Sequence, residues 1–582
     1  MQQTPAQPLF GAHFARRLWR LTRLYWSSPD APRGGLLLGL AIALELATVY
    51  GNFVLADAQR RIYDALQDRV AAAFFQGVGL FLGVALGFVL ASTYRSYVRQ
   101  ALEIRWRNWL TGHLIEEWIS PHACCQMELL RAEADNPDQR IAEDARNYVA
   151  SALGLSLSLL AALATLVSFA GLLWSLSGDW PIRVGETEIR IPGFMMWVAI
   201  AYAAIASWIT HRVGRRLVPI NFDRQRFEAD FRFGLVRFRE NAETVGLAGG
   251  EECERLGAQE RFESVVQNWW QLIGALRNLA LFTTGIGQLN GAVPLLVAAP
   301  GYFLGQLTLG RVAQTGIAYG QVSGALVWFV NAYQEIAQWR ASIERLLSFT
   351  DAIESARARV ARPGGVLVKA GDGDALRLSD LHLELPSGRA LLDASEASIA
   401  PGERVVVVGP SGAGQTTLLR AIAGHWPFGR GRIQMPAGAR SMFLSQQPYL
   451  PIATLRAAVS YPAPERTFAD EKIREVLALL GLTDLVERLA ETDHWEKRLS
   501  SGEQQRLAFA RVLLHEPGWV FLDDATGALD EETERRAYAT LMERLPRASV
   551  VSIAHRPSVE RYHAKHWTLV PRGGGPAMLQ AA

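Results

Sequence analysis

The sequence predicts an α-helical membrane domain of six transmembrane helices fused to an α/β domain of the P-loop type. Three observations favour this fold class. Long apolar segments occupy the first part of the chain, short β-rich runs alternate with helical patterns after about residue 362, and a glycine-rich turn joins an apolar strand to a helix at residues 409–417. Because a helix of about 20 apolar residues crosses the hydrocarbon core, the apolar segments are expected to be membrane spans.

The composition agrees with a membrane part joined to a soluble part. Hydrophobic residues make up 49% of the 582 residues and charged residues 20%. The formal net charge of +2 gives no indication of an extended nucleic-acid-binding surface, so no nucleic-acid partner is expected. The cysteines at 124, 125 and 253 show no metal-ligand spacing, and two of them are adjacent, which favours reduced thiols.

Six segments are predicted to cross the membrane, at about residues 35–55, 74–94, 150–176, 194–209, 279–304 and 312–332. Arginines cluster before the first segment and in the long connections 95–149 and 210–278, which places those parts on the cytoplasmic side. Both termini are then cytoplasmic. No cleavage site follows the first apolar segment, which indicates a retained span. The expected organisation is an N-terminal arm (1–34), a membrane domain (35–346), a linker (347–373) and the α/β domain (374–582).

The glycine-rich turn predicts a phosphate-binding loop. It follows the apolar strand 405–408 and opens a helix, so that backbone N–H groups and the helix N-terminus can surround phosphates. Thr416 is placed to act as a Mg²⁺ ligand, and Thr417 is placed to reach an inner phosphate. Gln415 stands where the pattern has lysine. An ordinary strand–turn–helix is the alternative. The residues expected to bind nucleotide here are Gly409, Pro410, Ser411, Gly412, Ala413, Gly414, Gln415, Thr416 and Thr417.

Three further strands end in polar side chains. The strand at 519–522 ends in Asp523 and Asp524, of which the first suits Mg²⁺ binding and the second suits polarisation of an attacking water. The strand near 442–445 ends in Gln446, and the strand 550–554 ends in His555. Each of these alone is compatible with an ordinary loop or a structural histidine.

The octapeptide Leu-Ser-Ser-Gly-Glu-Gln-Gln-Arg at 499–506 is the most specific signal. Ser500 and Glu503 fit a helix capping box, which is a local explanation. A serine and a glycine at a helix start also aim donors at an anion. The whole segment resembles the signature sequence of ABC proteins. Together with the order of the other motifs, it identifies the second domain as similar to ABC nucleotide-binding domains.

This resemblance implies ATP and Mg²⁺ as cofactors and a second half-transporter as partner. It implies that Ser500, Ser501, Gly502 and Glu503 contact the γ-phosphate held by the other subunit. The residues that the resemblance and the strand ends assign to catalysis are Asp524, His555 and Gln446. The expected Mg²⁺ ligands are Thr416, Gln446 and Asp523.

The membrane half narrows the resemblance. Segments 57–67, 135–144, 239–243 and 328–346 resemble the bacterial BacA/SbmA-like transporters with a fused ATPase, which are related to the peroxisomal subfamily D transporters. This resemblance implies an exporter-type fold and a homodimer in the lipid bilayer of the bacterial inner membrane. The transported substrate would be a peptide, a cobalamin-like compound or an acyl-CoA.

Two departures from the family pattern leave the activity open. Gln415 removes a positive charge, and Asp524 is one methylene shorter than the usual glutamate; Gly527 also replaces the commoner serine. Slow ATP-driven transport, a nucleotide-binding clamp with impaired hydrolysis, and pairing with a different half-transporter are all compatible with them. An aromatic residue that stacks on adenine is expected near the first strand of such a domain. It is not evident here, because Leu383 and Leu385 occupy that region.

Polar residues within the spans suggest a hydrated transport cavity. Glu45 lies midway along the first span, where a carboxylate is costly unless it faces the helix bundle or water. A protonated carboxyl that hydrogen-bonds between helices is the alternative for Glu45. The residues expected to border the cavity are Glu45, Gln288, Asn290, Gln314 and Gln321.

Overall fold

The computed structural model describes residues 12–120, 123–129, 136–177, 179–184, 187–214, 216–360, 365–371, 373–554, 556–573 and 575–581. These residues form two compact units. The membrane unit comprises residues 1–115 and 136–347, and the nucleotide unit comprises residues 116–135 and 348–582.

The first part of the chain is almost wholly helical. Its elements are α1 (Ala12–Trp26), α2 (Ala31–Gln67), α3 (Ala71–Trp118), α4 (Ala123–Leu129), α5 (Pro137–Gln139), a π-helical turn (Arg140–Asp144), α6 (Ala145–Ser177), β1 (Asp179–Val184), β2 (Thr187–Pro192), α7 (Phe194–Gly214), α8 (Leu217–Glu240), α9 (Ala242–Ala248), α10 (Glu251–Phe303), α11 (Leu309–Leu326) and α12 (Trp328–Val360).

Four helical stretches among the described residues are long and apolar enough to span a membrane: α2, α3, Pro137–Ser177 and α10, with Phe194–Thr210 as a shorter apolar helix. The apolar window of α3 has only 6% of its residues buried against the rest of the protein. Such exposed apolar surface fits contact with lipid or a partner helix. The sixth predicted span, 312–332, runs from α11 into α12 across Val327. The six-span topology stays a prediction.

The long helices extend well beyond their apolar segments. Helix α3 has 48 residues, which gives a length of about 72 Å at 1.5 Å per residue. The hydrocarbon core is only about 30 Å thick. Between α6 and α7 lies an antiparallel hairpin in which β1 pairs with β2. Apolar and polar residues alternate in both strands, as is typical of β-strands.

The segment 347–373, expected to be a linker, is largely ordered as secondary structure. Helix α12 continues to Val360, and a strand begins at Val366. Phe349, Ile353 and Ala356 are buried at helical spacing, and no proline or glycine interrupts residues 347–360. The apolar stripe therefore carries the helix through the expected boundary.

The nucleotide unit is built on one large sheet. Its elements are β3 (Val366–Gly371), β4 (Leu376–Glu384), β5 (Ala390–Ile399), β6 (Arg404–Val408), α13 (Gln415–Ile422), β7 (Gly429–Pro436), β8 (Ser441–Leu444), β9 (Ala453–Thr454), α14 (Leu455–Ser460), α15 (Asp470–Leu479), a 3-10 helix (Thr483–Arg488), β10 (Thr492–Asp493), α16 (Trp495–Arg498), α17 (Ser501–His515), β11 (Trp519–Asp523), α18 (Glu531–Arg544), β12 (Ser549–Ile553), α19 (Pro557–Glu560), β13 (Lys565–Val570) and β14 (Ala577–Ala581).

The strand order of the ten-stranded sheet is β3-β7-β4-β5-β14-β13-β6-β12-β11-β8. Strands β8, β11, β12 and β6 are adjacent and mutually parallel. Side chains of β6 alternate between two apolar cores, with Val406 in one and Val405 and Val407 in the other. Burial on both faces is typical of parallel sheets. Because these four strands are parallel, their carboxyl ends lie at a common edge of the sheet.

Candidate nucleotide-binding site

The predicted site residues of the nucleotide unit follow the carboxyl ends of parallel strands. The loop that begins at Gly409 follows β6, Gln446 lies two residues after β8, and Asp523 ends β11. Ligands of open α/β sheets bind in this position, outside the carboxyl ends of the strands. The strand order therefore brings together residues that are more than 100 positions apart in the sequence.

The loop between β6 and α13 requires glycine at several points. Gly412 and Gly414 have φ values of +83° and +100°, which other residues rarely adopt. A Cβ on Gly409 would lie 2.9 Å from the Cβ of Leu569. The loop closes with a hydrogen bond from the Ala413 N–H to the Pro410 carbonyl, 3.1 Å long. This is a backbone that can turn successive N–H groups towards an anion.

Gln415 is buried within this loop, with 7% of its surface exposed. Its Nε2 donates to the Gly409 carbonyl over 3.2 Å. The amide therefore lies at the predicted place and supplies donors, but it carries no positive charge to set against phosphate.

Thr416 and Asp523 form a direct contact, in which the threonine hydroxyl donates to Asp523 Oδ1 over 3.0 Å. A hydroxyl and a carboxylate are hard oxygen ligands of the kind that Mg²⁺ prefers, and Mg²⁺ usually keeps waters and phosphate oxygens as its other ligands. In the described parts of the chain no cluster of three or more His, Cys, Asp or Glu residues could hold a metal. The Thr416–Asp523 pair offers two oxygen ligands of the kind that Mg²⁺ prefers.

Asp524 follows Asp523 in the chain, and its side chain contacts Gln446. Its Oδ2 accepts a hydrogen bond from Gln446 Nε2 over 2.9 Å. The backbone of Asp524 is left-handed, with φ +49°, and its N–H donates to the Ile553 carbonyl. An aspartate tolerates this conformation better than most residues, and such positions cluster at functional sites.

Ser500 is the N-cap of α17 and makes the capping box that the sequence suggested. Its hydroxyl lies 3.3 Å from the Glu503 N–H, and Glu503 Oε2 accepts from the Ser500 N–H over 2.8 Å. Partial burial opposes ionisation of Glu503, but the hydrogen bonds from Ser500 outweigh it and lower the pKa of the carboxyl. Ser501 and Gly502 lie in the first turn of α17. Their role towards a γ-phosphate stays a prediction.

Gln505 joins two parts of the site and was missed at the level of sequence. This residue is 3% exposed. Its Nε2 donates to the Gln446 carbonyl over 3.0 Å, and its Oε1 accepts from the Ala528 N–H over 2.9 Å. The signal was a polar residue on the buried face of a helix, at i−3 and i−4 from Ala508 and Phe509.

Two further residues of the predicted site are His555 and Leu383. His555 lies outside the described residues. Leu383 is 1% exposed and belongs to the sheet core, so its side chain is unsuited to stacking on a base.

The predicted cavity residues of the membrane unit are spread over several helices. Glu45 is 6% exposed and forms an ion pair with Arg95 of α3, with 2.8 Å between Oε1 and Nη1. Gln314 is buried on α11, and Gln321 is half-buried on the same helix. On α10, Gln288 is exposed and Asn290 is half-buried. In the described part of the chain, none of these five side chains hydrogen-bonds to another.

Helix α11 carries a further set of buried polar side chains that the sequence analysis missed. Thr315, Tyr319 and Ser323 are each at most 3% exposed. The Tyr319 and Ser323 hydroxyl oxygens are buried one helical turn apart and interact with each other. Buried polar groups in apolar helices are costly, which marks this face of α11 as a functional candidate.

Comparisons with known proteins agree with this geometry. The chain matches the family model described as "ABC transporter transmembrane region 2" over residues 21–303 and the model described as "ABC transporter" over residues 392–527. The bacterial Atm1-family ABC exporter with ATP bound has a similar structure, with a TM-score of 0.70, 19% identity and coverage of 93% of both chains. This likeness confirms the predicted fold class.

Several relatives span nearly the whole chain. An ABC transporter ATP-binding protein of Synechocystis is 34% identical over 91% of this chain and 79% of its own length. The inner membrane ABC transporter ATP-binding protein YddA of Escherichia coli is 31% identical, with coverage of 93% and 94%. The human lysosomal cobalamin transporter is 25% identical, with coverage of 96% and 95%.

The chain belongs to the ABC transporter family, with a membrane region fused to an ATP-binding domain. This confirms the family predicted from the motifs, including its relation to subfamily D.

Proposed function

We propose that this protein is a slow ATP-hydrolysing transporter that works as a homodimer and moves a hydrophilic compound across the bacterial inner membrane. The observation that carries the proposal is the pairing of Thr416 with Asp523 and of Gln446 with Asp524, at 3.0 and 2.9 Å, beside the phosphate-binding loop. This arrangement holds two oxygen ligands and one general base in adjacent positions.

The site residues have separate tasks in this proposal. Backbone N–H groups of the 409–414 loop and the start of α13 bind the ATP phosphates, with Thr417 on an inner phosphate. Thr416 and Asp523, together with Gln446, would hold Mg²⁺. The ion would neutralise phosphate charge when bound. Asp524 polarises the attacking water, and the Gln446 amide holds its carboxylate in place.

The site predicts a slow rate for two reasons. The neutral Gln415 amide replaces a charge-assisted contact to phosphate, and such contacts are about twice as strong as neutral ones. Asp524 is one methylene short, and a displacement of about 1 Å can cost about a hundredfold in rate. The 501–503 segment of a second copy would add donors at the γ-phosphate, and His555 a further one.

The membrane arrangement is part of the same proposal. Six spans with both termini in the cytoplasm bring the nucleotide unit to cytoplasmic ATP, as the arginine distribution supports. The Escherichia coli relative is named as an inner membrane protein, which supports an inner-membrane location. The human relative is named for cobalamin, and the buried polar face of α11 suits a polar cargo such as a cobalamin-like compound, a peptide or an acyl-CoA.

A second candidate function is a nucleotide clamp that binds ATP without turnover. The buried, uncharged Gln415 amide favours it, because affinity from the loop backbone can survive while transition-state stabilisation is lost. A heterodimer whose other chain supplies the usual residues is the remaining alternative.

ATP binding and hydrolysis by the purified protein in lipid vesicles distinguish these functions. We expect Mg²⁺-dependent ATP hydrolysis by the wild type, with a rate that falls at least about a hundredfold in Asp524→Asn. Thr416→Val should abolish the Mg²⁺ dependence of nucleotide binding. Thr492→Val, at an exposed position on β10, is the matched control and should behave as wild type.

The alternatives give other results. ATP binding without any turnover by the wild type would support the clamp instead. Turnover only after mixing with a second half-transporter would support the heterodimer.

A further inference from the structure

The carboxylate of Asp524 lies against Gly527, three residues further along the chain. A Cβ built on Gly527 would lie 2.7 Å from Asp524 Oδ2, 3.0 Å from Cγ and 3.1 Å from Oδ1. Cβ contacts under 3.0 Å are essentially never found in proteins, so any side chain at residue 527 must displace one of the two partners. Gly527 is not in the left-handed region, so its backbone conformation does not itself require glycine.

The loop that contains Gly527 is held from several sides. The Gly527 carbonyl accepts from Arg556 Nη2 over 3.1 Å. The Thr526 hydroxyl donates to Glu534, which is 1% exposed, over 2.9 Å. On the other flank the Ala528 N–H donates to the buried Gln505. A loop tied at three consecutive residues resists displacement, so the side chain of Asp524 is the partner that would move.

The Asp524 carboxylate is also held by Gln446. The Gln446 amide donates to Asp524 Oδ2 over 2.9 Å, and the Gln446 carbonyl is fixed by Gln505 over 3.0 Å. The carboxylate therefore contacts both an anchored amide and the bare Cα of Gly527. Two of the three departures from the family pattern, aspartate at 524 and glycine at 527, meet in this one contact.

We propose that Gly527 is a positioning residue for ATP hydrolysis, matched to the short acid at 524. Because Gly527 has no side chain, it leaves space for the Asp524 carboxylate in the position where Gln446 holds it. This inference rests on the proposed function, in which Asp524 polarises the attacking water. It adds that the activity of an aspartate at this position depends on the absence of a side chain at residue 527.

The expected effect follows from the distances. To restore an ordinary contact of 3.4 Å with a Cβ that now would lie at 2.7 Å, the carboxylate must shift by about 0.7 Å. Since a displacement of about 1 Å can cost about a hundredfold in rate, Gly527→Ala should lower kcat by about tenfold or more. The KM for ATP should change less than about twofold, because the three atoms nearest to a Cβ at residue 527 all belong to Asp524 and none to the phosphate-binding loop.

The test compares ATP turnover by the full transporter in lipid vesicles for wild type, Gly527→Ala and a matched control. Gly518→Ala is that control, because its Cβ would meet nothing closer than the Arg440 carbonyl at 3.9 Å. ATP affinity and thermal unfolding are measured for each variant, so that a loss of kcat by misfolding is recognised.

A rescue distinguishes positioning from general damage. The extra methylene of Asp524→Glu lets the carboxylate lie beyond a Cβ at residue 527. Gly527→Ala should therefore cost less than about threefold in the Asp524→Glu background, against about tenfold in the wild type. A merely structural role of Gly527 would cost the same in both backgrounds.

The outcomes separate the two levels of the argument. Wild-type turnover that requires Asp524 but is unchanged by Gly527→Ala overturns this inference and leaves the proposed function intact. Equal losses in both backgrounds also overturn it. Absence of wild-type turnover overturns both.

Discussion

Replacing Gln415 by lysine tests how much the missing charge limits this site. The Gln415 side chain is 7% exposed, and its Nε2 lies 3.2 Å from the Gly409 carbonyl. A lysine here keeps a donor within reach of that carbonyl and places an ammonium beside the predicted phosphate position. A neutral hydrogen bond contributes about 1 kcal/mol net and one to a charged group about 1.5–3 kcal/mol. The gain is then about 0.5–2 kcal/mol, or about two- to thirtyfold in ATP affinity.

The assay is ATP binding and turnover by Gln415→Lys in lipid vesicles, beside two reference variants. Gln415→Met has similar length without donors and should bind ATP more weakly than the wild type. Gln580→Lys adds the same charge at an exposed position of β14 and should change nothing. A larger shift of thermal unfolding by ATP in Gln415→Lys is a second readout, since at a given concentration a ligand that binds more tightly stabilises the fold more. Equal ATP affinity in wild type and Gln415→Lys would refute the argument.

The other predictions concern parts of the chain outside the phosphate-binding loop. Glu45→Gln leaves Arg95 without its carboxylate partner and should lower the stability of the lipid-embedded protein by about 1–3 kcal/mol, a limited loss because Arg95 is partly exposed. The double change Glu45→Leu with Arg95→Leu should recover most of this loss. Unchanged unfolding of the single variant would contradict the ion pair. Burial lowers the pKa of His563 to about 4, so below pH 6.5 the unfolded chain takes up a proton that the folded chain does not. Stability should fall by about 3 kcal/mol from pH 6.5 to 4, and His563→Gln, measured by thermal unfolding across this range, should lack that fall. Gln505→Leu should reduce kcat for ATP more than ATP affinity, and equal reductions of both would contradict its role in holding Gln446.

The sequence was sufficient for the class of the two domains because each rests on local physics. Apolar length predicts spans, and a strand–glycine turn–helix pattern predicts a phosphate-binding loop. Thr416 and Asp523 were each assigned to Mg²⁺ from the residues beside them. Their contact depends on the sheet order β6-β12-β11, which a single sequence does not contain.

The contacts that were missed join segments distant in the chain. Gln505 links Gln446 to Ala528, and Arg95 lies 50 residues from Glu45. From the sequence, Glu45 was expected to border the cavity or to be protonated and hydrogen-bonded between helices. An ion pair with an arginine of the next helix was not predicted. The linker 347–373 was placed by composition, whereas α12 continues to Val360 with part of its apolar face buried.

The most direct test of the account is the rate of ATP hydrolysis by the wild-type protein alone in lipid vesicles, with Asp524→Asn beside it. Asp524 is held by Gln446 next to the Thr416–Asp523 pair. The account predicts slow, Mg²⁺-dependent turnover that falls at least about a hundredfold in Asp524→Asn while ATP binding persists. Turnover that is absent in the wild type, or equal in the two proteins, would contradict it.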